Sequence, residues 1–161
     1  MDIATTYLRA GRYDEALEAA ARAVELGSDG ARAHATFGWA CLRKGKVAEG
    51  LEAMERAVAL APEDTVWLGQ LGEAYGEAGR VDEARQILAQ LLERARTHYV
   101  APYHIAYVYT GLGEWDRAMD YVEQAYQDRG GAVYGVKGSF LFAPLRPHPR
   151  FQALLKRMNL P

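Results

Sequence analysis

The amino-acid sequence predicts an all-α protein made of stacked pairs of antiparallel helices. The 161 residues are rich in helix formers, yet 16 of them are glycine, which is a poor helix former. Four of these glycines, Gly11, Gly45, Gly79 and Gly113, follow one another at intervals of 34 residues. Self-similarity at such a period is typical of helical repeat proteins. Between the glycines, apolar residues recur at the spacing of one face of a helix. Because one pair of helices cannot bury that face alone, the pairs should stack.

Each repeat is expected to contain two helices joined by a turn at its glycine. In the third repeat the helices should cover about 64–78 and 81–96, and Gly79 should end the first helix in a left-handed conformation. The acidic Asp82 and Glu83 then fall in the first turn of the second helix, where they complement its dipole. We predict four repeats, over about residues 1–30, 31–64, 65–98 and 99–129. The first is truncated, because its opening helix would begin before Met1.

The recurring spacing of large and small residues within the repeats resembles the tetratricopeptide repeat family. The third repeat carries Leu71-Gly72-x2-Tyr75, Gly79 and Ala84, and the second carries Phe37-Gly38-x2-Cys41, Gly45, Ala57 and Pro62. This resemblance implies a right-handed α-solenoid whose first helices line a concave surface. It also implies a protein that binds a peptide or a partner domain there.

The chain after residue 129 departs from the repeat and is expected to form a C-terminal capping segment over 130–161. We predict a short helix around 132–137, an irregular stretch over 138–145 and a last helix over 150–158. The last helix places Phe151, Leu154, Leu155 and Met158 on one face, so it should cover the open end of the stack.

The ending also resembles the C-termini of bacterial multidomain proteins in which such repeats follow a protein-kinase, adenylyl-cyclase or winged-helix domain. The resemblance is carried by Pro144-Leu145-Arg146, Pro149-Arg150-Phe151 and the apolar positions that follow. It implies that this chain is the sensory or docking end of such a regulator, or a stand-alone relative. His148 stands where that group usually has Asp, from which we expect a weaker helix cap.

The distribution of charge is uneven along the chain. Residues 130–161 carry five basic and no acidic side chains, whereas residues 1–129 carry a net charge of −7. The basic residues could simply be solvated and complement the dipole of the last helix, or they could dock onto an acidic partner domain. Nucleic acid is not expected as a partner, because five positive charges beside an acidic body make a weak electrostatic footprint.

The motifs of common enzyme classes are absent from the sequence. It has no phosphate-binding loop, no HExxH and no GxSxG, and its histidines lack the spacing of a metal site. The single cysteine, Cys41, should be a buried small residue, and Glu73 with Glu77 should be a solvated pair on an exposed helix. No apolar run is long enough to span a membrane. We therefore predict a non-enzymatic, cytoplasmic protein without cofactor or metal.

The candidate binding site is the concave groove that the resemblance implies. Carried over by register, its residues are Arg32, Trp39, Arg43, Gly69, Gln70, Glu73, Gly76, Glu77, Tyr103, His104 and Tyr107. Gly69 and Gly76 have no evident role in the repeat, so we expect them to floor an open trough with Trp39, Tyr103 and Tyr107 as walls. The alternative is that Trp39 and Tyr107 pack against each other or cover the edge of the stack.

The sequence thus favours a scaffold for protein–protein interaction. The clamp by which chaperone-binding members hold a terminal carboxylate needs Lys, Asn and Arg, but Thr5, Thr36, Val66 and Gln70 stand at those positions. Chaperone tails are therefore not expected as ligands. The alternative function is structural, with a weak homodimer formed through the open edge of the first repeat.

Overall fold

The computed structural model describes residues 3–27, 30–128 and 131–160. Within these ranges the chain forms nine α-helices and two 3₁₀ helices, with no strand. The α-helices are α1 (Ile3–Arg9), α2 (Tyr13–Glu25), α3 (Gly30–Arg43), α4 (Val47–Leu60), α5 (Thr65–Glu77), α6 (Val81–Arg94), α7 (Pro102–Gly111), α8 (Trp115–Gln127) and α9 (Pro149–Arg157). The 3₁₀ helices cover Gly131–Gly138 and Ala143–Leu145.

The first eight helices form four successive pairs that stack side by side. Each odd-numbered helix packs against the helix that follows it, and α3, α5 and α7 also pack against one another in sequence. The large buried side chains, among them Trp39, Met54, Leu91 and Met119, form one continuous core along the stack. The predicted all-α solenoid is confirmed.

The turn between the two helices of a pair is built on the predicted glycine. Gly79 has a φ of 78°, and the amide of Arg80 donates a hydrogen bond to the carbonyl of Tyr75 over 2.8 Å. The amide of Gly79 itself donates to Gly76 over 3.1 Å, which completes a Schellman motif. Gly11, Gly45 and Gly113 have φ values of 71°, 77° and 73°. The left-handed helix ends expected at these four glycines are thus confirmed.

Helices α5 and α7 approach each other so closely that their backbones are almost in contact. A Cβ atom added at Gly69 would lie 2.5 Å from the carbonyl oxygen of His104, and one at Gly76 would collide with the backbone of Gly111. In the same way, a Cβ at Gly111 would collide with the backbone of Glu73. Gly69 and Gly76 therefore do not floor an open trough, and that expectation is wrong. They have a role in packing, because only glycine lets the two helices come this close.

The last helix, α9, lies against α8 and is held there by apolar and charged contacts. Phe151, Leu154 and Leu155 are buried, whereas Met158 is half-buried. The guanidinium of Arg150 donates to Asp120 and Glu123 over 2.8 Å each. At least this basic residue of the C-terminal segment therefore pairs with acidic residues of its own chain.

The start of α9 is capped by His148. Its Nδ1 accepts a hydrogen bond from the amide of Arg150 over 3.3 Å, and its Nε2 lies 3.2 Å from a carboxylate oxygen of Asp116. These two contacts fit one tautomer, with the proton on Nε2. The histidine thus supplies the cap that an aspartate would otherwise supply, and it also ties α9 to α8.

We predict that Gly76→Ala destabilises the protein by about 1–3 kcal/mol, because the new methyl group forces α5 away from α7. Gly30→Ala is the matched control, since its Cβ would meet only a side-chain atom of Leu60 at 3.8 Å. The control should leave stability within about 1 kcal/mol, because alanine is the better helix former. Urea denaturation followed by circular dichroism measures both values. Equal midpoints for the two variants would contradict the packing role of Gly76.

Candidate functional site: the concave groove

On the inner face of the stack, side chains of α3 form hydrogen bonds with side chains of α5. The indole nitrogen of Trp39 donates to Gln70 over 2.9 Å. One helical turn further on, the guanidinium of Arg43 donates to both carboxylate oxygens of Glu77, over 2.7 and 3.2 Å. The same guanidinium lies 5.1 Å from the centre of the Trp39 ring. The structure therefore brings these predicted groove residues together, but it uses them to bind each other.

Residues of the C-terminal segment contact this face of the stack. Phe140 lies edge-on to Trp39, with 5.6 Å between the ring centres, and Phe142 stacks on Tyr107 at 5.0 Å. As a result Trp39 is only 1% exposed and Tyr107 only 8%. The expectation that these two rings form exposed walls is wrong. The alternative, in which the two rings pack against each other or cover the edge of the stack, did not foresee that residues of the C-terminal segment cover them.

Two further predicted groove residues on α7 pack inside the stack. His104 is buried between α5 and α7, with its Nδ1 2.8 Å from the hydroxyl of Thr65. Burial lowers the pKa of His104 to about 4, so its imidazole is neutral at neutral pH. Tyr103 is half-buried, with its ring centre 4.2 Å from that of His104. His104 therefore offers a ligand neither a positive charge nor an accessible ring.

Glu73 is the most unusual residue of the groove. Its side chain is fully buried, and neither carboxylate oxygen has a hydrogen-bond partner. Burial raises the pKa of Glu73 well above its usual range, and the nearby Glu77 raises it further, against the opposing effect of Arg43. The expectation of a solvated Glu73–Glu77 pair is therefore wrong for Glu73. The carboxyl group of Glu73 therefore keeps its proton at pH values well above the ordinary pKa of glutamate.

Part of the groove stays open, as a cavity of about 250 Å³ between α1, α3, α5 and the C-terminal segment. Among the described residues, its lining includes two arginines, Arg9 and Arg32, and neither Asp nor Glu. The ring of Trp67 lies 5.8 Å from the guanidinium of Arg32. The remaining lining residues are Thr5, Leu8, Ala35, Thr36, Trp39, Val66, Gln70, Tyr107, Ser139, Phe140 and Leu141.

Sequence reasoning placed Arg32, Trp39, Gln70 and Tyr107 in the groove, and all four line this cavity, but it missed Trp67, Arg9 and residues 139–141. Trp67 could have been found, because it precedes Gln70 by three positions and so shares its helix face. No local signal gave the position of residues 139–141, because the period of the repeat ends before them. Their place depends on how the chain folds back after α8.

The described residues contain no candidate metal site. No three His, Cys, Asp or Glu side chains among them converge as metal ligands. Cys41 is buried as expected, and burial raises the pKa of its thiol to about 11, which keeps it protonated. Over the same part of the chain, every helix is too short or too polar to cross a lipid bilayer.

Stacked helix pairs with a concave inner face define an α-solenoid of helical repeats. Sequence profiles of the tetratricopeptide repeat match residues 1–65, 42–101 and 77–129. The chain therefore belongs to the tetratricopeptide repeat family. Membership supports, in general terms, a scaffold for protein–protein interaction.

Solved structures with the same fold include two of MamA. One, of a MamA mutant, is 20% identical with a TM-score of 0.50, over 98% of this chain and 90% of that chain. The other, "MamA MSR-1 C2", is 23% identical with a TM-score of 0.50, over 96% of this chain and 94% of that chain. At these identities the likeness concerns the fold alone. The curated proteins contain no match to the sequence.

We predict that Glu73→Gln makes the protein more stable at pH 8, by about 1–3 kcal/mol, and leaves its stability unchanged at about pH 4. The raised pKa means that folded Glu73 holds its proton where the unfolded chain has lost it. The stability of the wild type should therefore fall as the pH rises above the ordinary pKa of glutamate, and the neutral amide removes this loss.

Chemical denaturation across this pH range measures the difference between variant and wild type. The control is Glu18→Gln, which changes an exposed carboxylate on α2 and should have no comparable effect. A difference for Glu73→Gln that does not depend on pH would mean that the carboxyl group is equally ionised in both states.

Proposed function

We propose that this protein is a scaffold that binds an extended segment of a partner protein in its concave groove. The observation that carries the proposal is the open cavity, whose described lining includes Arg9, Arg32 and Trp67. A guanidinium binds carboxylates with two parallel hydrogen bonds, and tryptophan is enriched among the residues that contribute most to binding at protein interfaces. The cavity therefore favours a segment with one or more carboxylates beside an apolar side chain.

The polar residues of the cavity support an extended segment as the ligand. Thr5, Thr36 and Gln70 lie along its lining and offer donors and acceptors for the backbone of such a segment. The Lys, Asn and Arg with which chaperone-binding members hold a terminal carboxylate are missing at these positions. We therefore propose that the ligand is an internal acidic stretch of the partner. The cytoplasmic location, the likeness to regulator C-termini and the boundary at residue 130 stay predictions.

The second candidate function is formation of a homodimer through the first repeat. The observation in its favour is Ile3 on α1, which is 68% exposed. An exposed apolar side chain on a terminal repeat is the kind of surface that a second copy can cover.

We expect that peptides selected from a random display library on the wild-type protein are rich in Asp and Glu. Arg32→Glu should weaken their binding about 10- to 100-fold, which is the effect of losing a charge-assisted hydrogen bond and gaining a repulsion. The binding should also weaken as salt is raised. Fluorescence anisotropy with labelled peptides measures both effects.

The matched control is Arg22→Glu, which makes the same change on the exposed surface of α2. If the two variants bind the selected peptides equally well, or if the peptides show no excess of acidic residues, the cavity is not the binding site.

For the dimer, we predict that the wild-type mass measured by light scattering rises with concentration, whereas Ile3→Asp stays monomeric. Tyr99→Asp is the control, because Tyr99 is similarly exposed, at 77%, but lies between α6 and α7, outside the first repeat. A wild-type protein that is monomeric at every concentration would exclude this function.

A further inference from the structure

The covered half of the groove contains a carboxyl group that nothing in the described structure satisfies. Glu73 lies on α5 one helical turn before Glu77, the partner of Arg43 of α3, and its backbone lies against Gly111 of α7. Arg43 lies 5.8 Å from the ring of Phe140, and Tyr107 stacks on Phe142. Glu73 thus lies in the part of the groove that residues 140–142 cover, and neither phenylalanine brings it a hydrogen-bond donor. A buried polar group without a partner is rare and destabilising.

The charges around Glu73 are also unbalanced. Arg43 forms its bidentate pair with Glu77, so its guanidinium donates no hydrogen bond to Glu73. While residues 139–142 cover this part of the groove, Glu73 avoids an uncompensated negative charge by keeping its proton. A ligand that carried a positive charge to this point would satisfy the ionised form instead.

The segment that covers the groove is held there by side chains. The amide of Ser139 donates to Val136, and that of Ala143 donates to Phe140, so these backbone hydrogen bonds stay within the segment. The helix that follows, α9, is anchored separately on α8 through Arg150 and His148. Among the described residues, the segment 139–142 therefore has no backbone hydrogen bond to the helix pairs, and the anchors of α9 do not involve it.

We propose that residues 139–142 are an intramolecular stand-in for a partner segment, and that the segment which displaces them carries an aromatic side chain and a basic side chain that pairs with Glu73. This inference rests on the proposed function, because it names a second subsite of the same groove. Trp39 and Tyr107 supply the ring faces for the aromatic side chain. The complete ligand then has carboxylates near Arg9 and Arg32 and a basic group at the covered end.

The test uses labelled peptides that contain the chain's own Phe-Leu-Phe sequence, with Lys, Gln or Glu at a neighbouring position. They are titrated against the wild type and against Phe140→Ala/Phe142→Ala, in which the groove is open. The lysine peptides should bind the open variant at least about 10-fold more tightly than the glutamate peptides, and they should bind the wild type more weakly. Adding Glu73→Gln to the open variant should abolish the preference for lysine, whereas adding Glu18→Gln should not.

Circular dichroism establishes that each variant is folded. If the double variant unfolds, the half-buried Phe140 is replaced alone, because its loss disturbs the core less than loss of Phe142. Equal binding of the peptides to the wild type and to the open variant would overturn the role of residues 139–142. Equal binding of lysine and glutamate peptides, or a lysine preference that survives Glu73→Gln, would overturn the role of Glu73.

The acidic peptides selected on the wild type separate this inference from the proposed function. If they still bind in a manner that depends on Arg32 while the lysine peptides fail, only the second subsite is wrong. If both kinds of peptide fail, the groove itself is not a binding site.

Discussion

The close contact between α5 and α7 is the constraint on which the rest of the molecule depends. Three glycines, Gly69, Gly76 and Gly111, let the two backbones meet without side chains between them. The distance between α5 and α7 determines how far Tyr107 lies from Glu73 and from the residues of α3. A single methyl group at the contact would move the inner wall of the groove, so the shape of the site and the stability of the fold are coupled.

The exclusion of water from the covered part of the groove affects the ionisation of Glu73. Glu73 lies where water is excluded and its carboxyl group has no donor, so it is neutral, while Arg43 and Glu77 a turn away stay paired. The groove thus changes character along its length. One end is lined by arginines beside an open cavity, and the other is covered by Phe140 and Phe142 above a protonated carboxyl group.

The fold could be predicted from the sequence because it is local. The 34-residue interval of Gly45 and Gly79 fixes turns and helix ends within a few residues, and those turns have the left-handed glycines that were predicted. The site was predicted less well, because burial in the groove depends on a segment that lies outside the repeat. Register places Trp39 and Tyr107 on the inner face correctly, but only the position of residues 140–142 tells that they are covered. Likewise, Gly69 and Gly76 have the same spacing in an open trough and in a helix contact.

The separate anchorage of α9 means that the covering segment is tied to the stack at its C-terminal side as well. A short tethered segment meets its own site at an effective concentration that is typically millimolar. A free partner that binds where residues 139–142 lie would have to compete against that concentration. A partner of moderate affinity at low concentration would therefore not displace the segment. A partner that is itself held nearby, for instance on the same chain or complex, does not face that barrier. If residues 139–142 stand in for a partner segment, this tether favours partners that are held nearby over free ones.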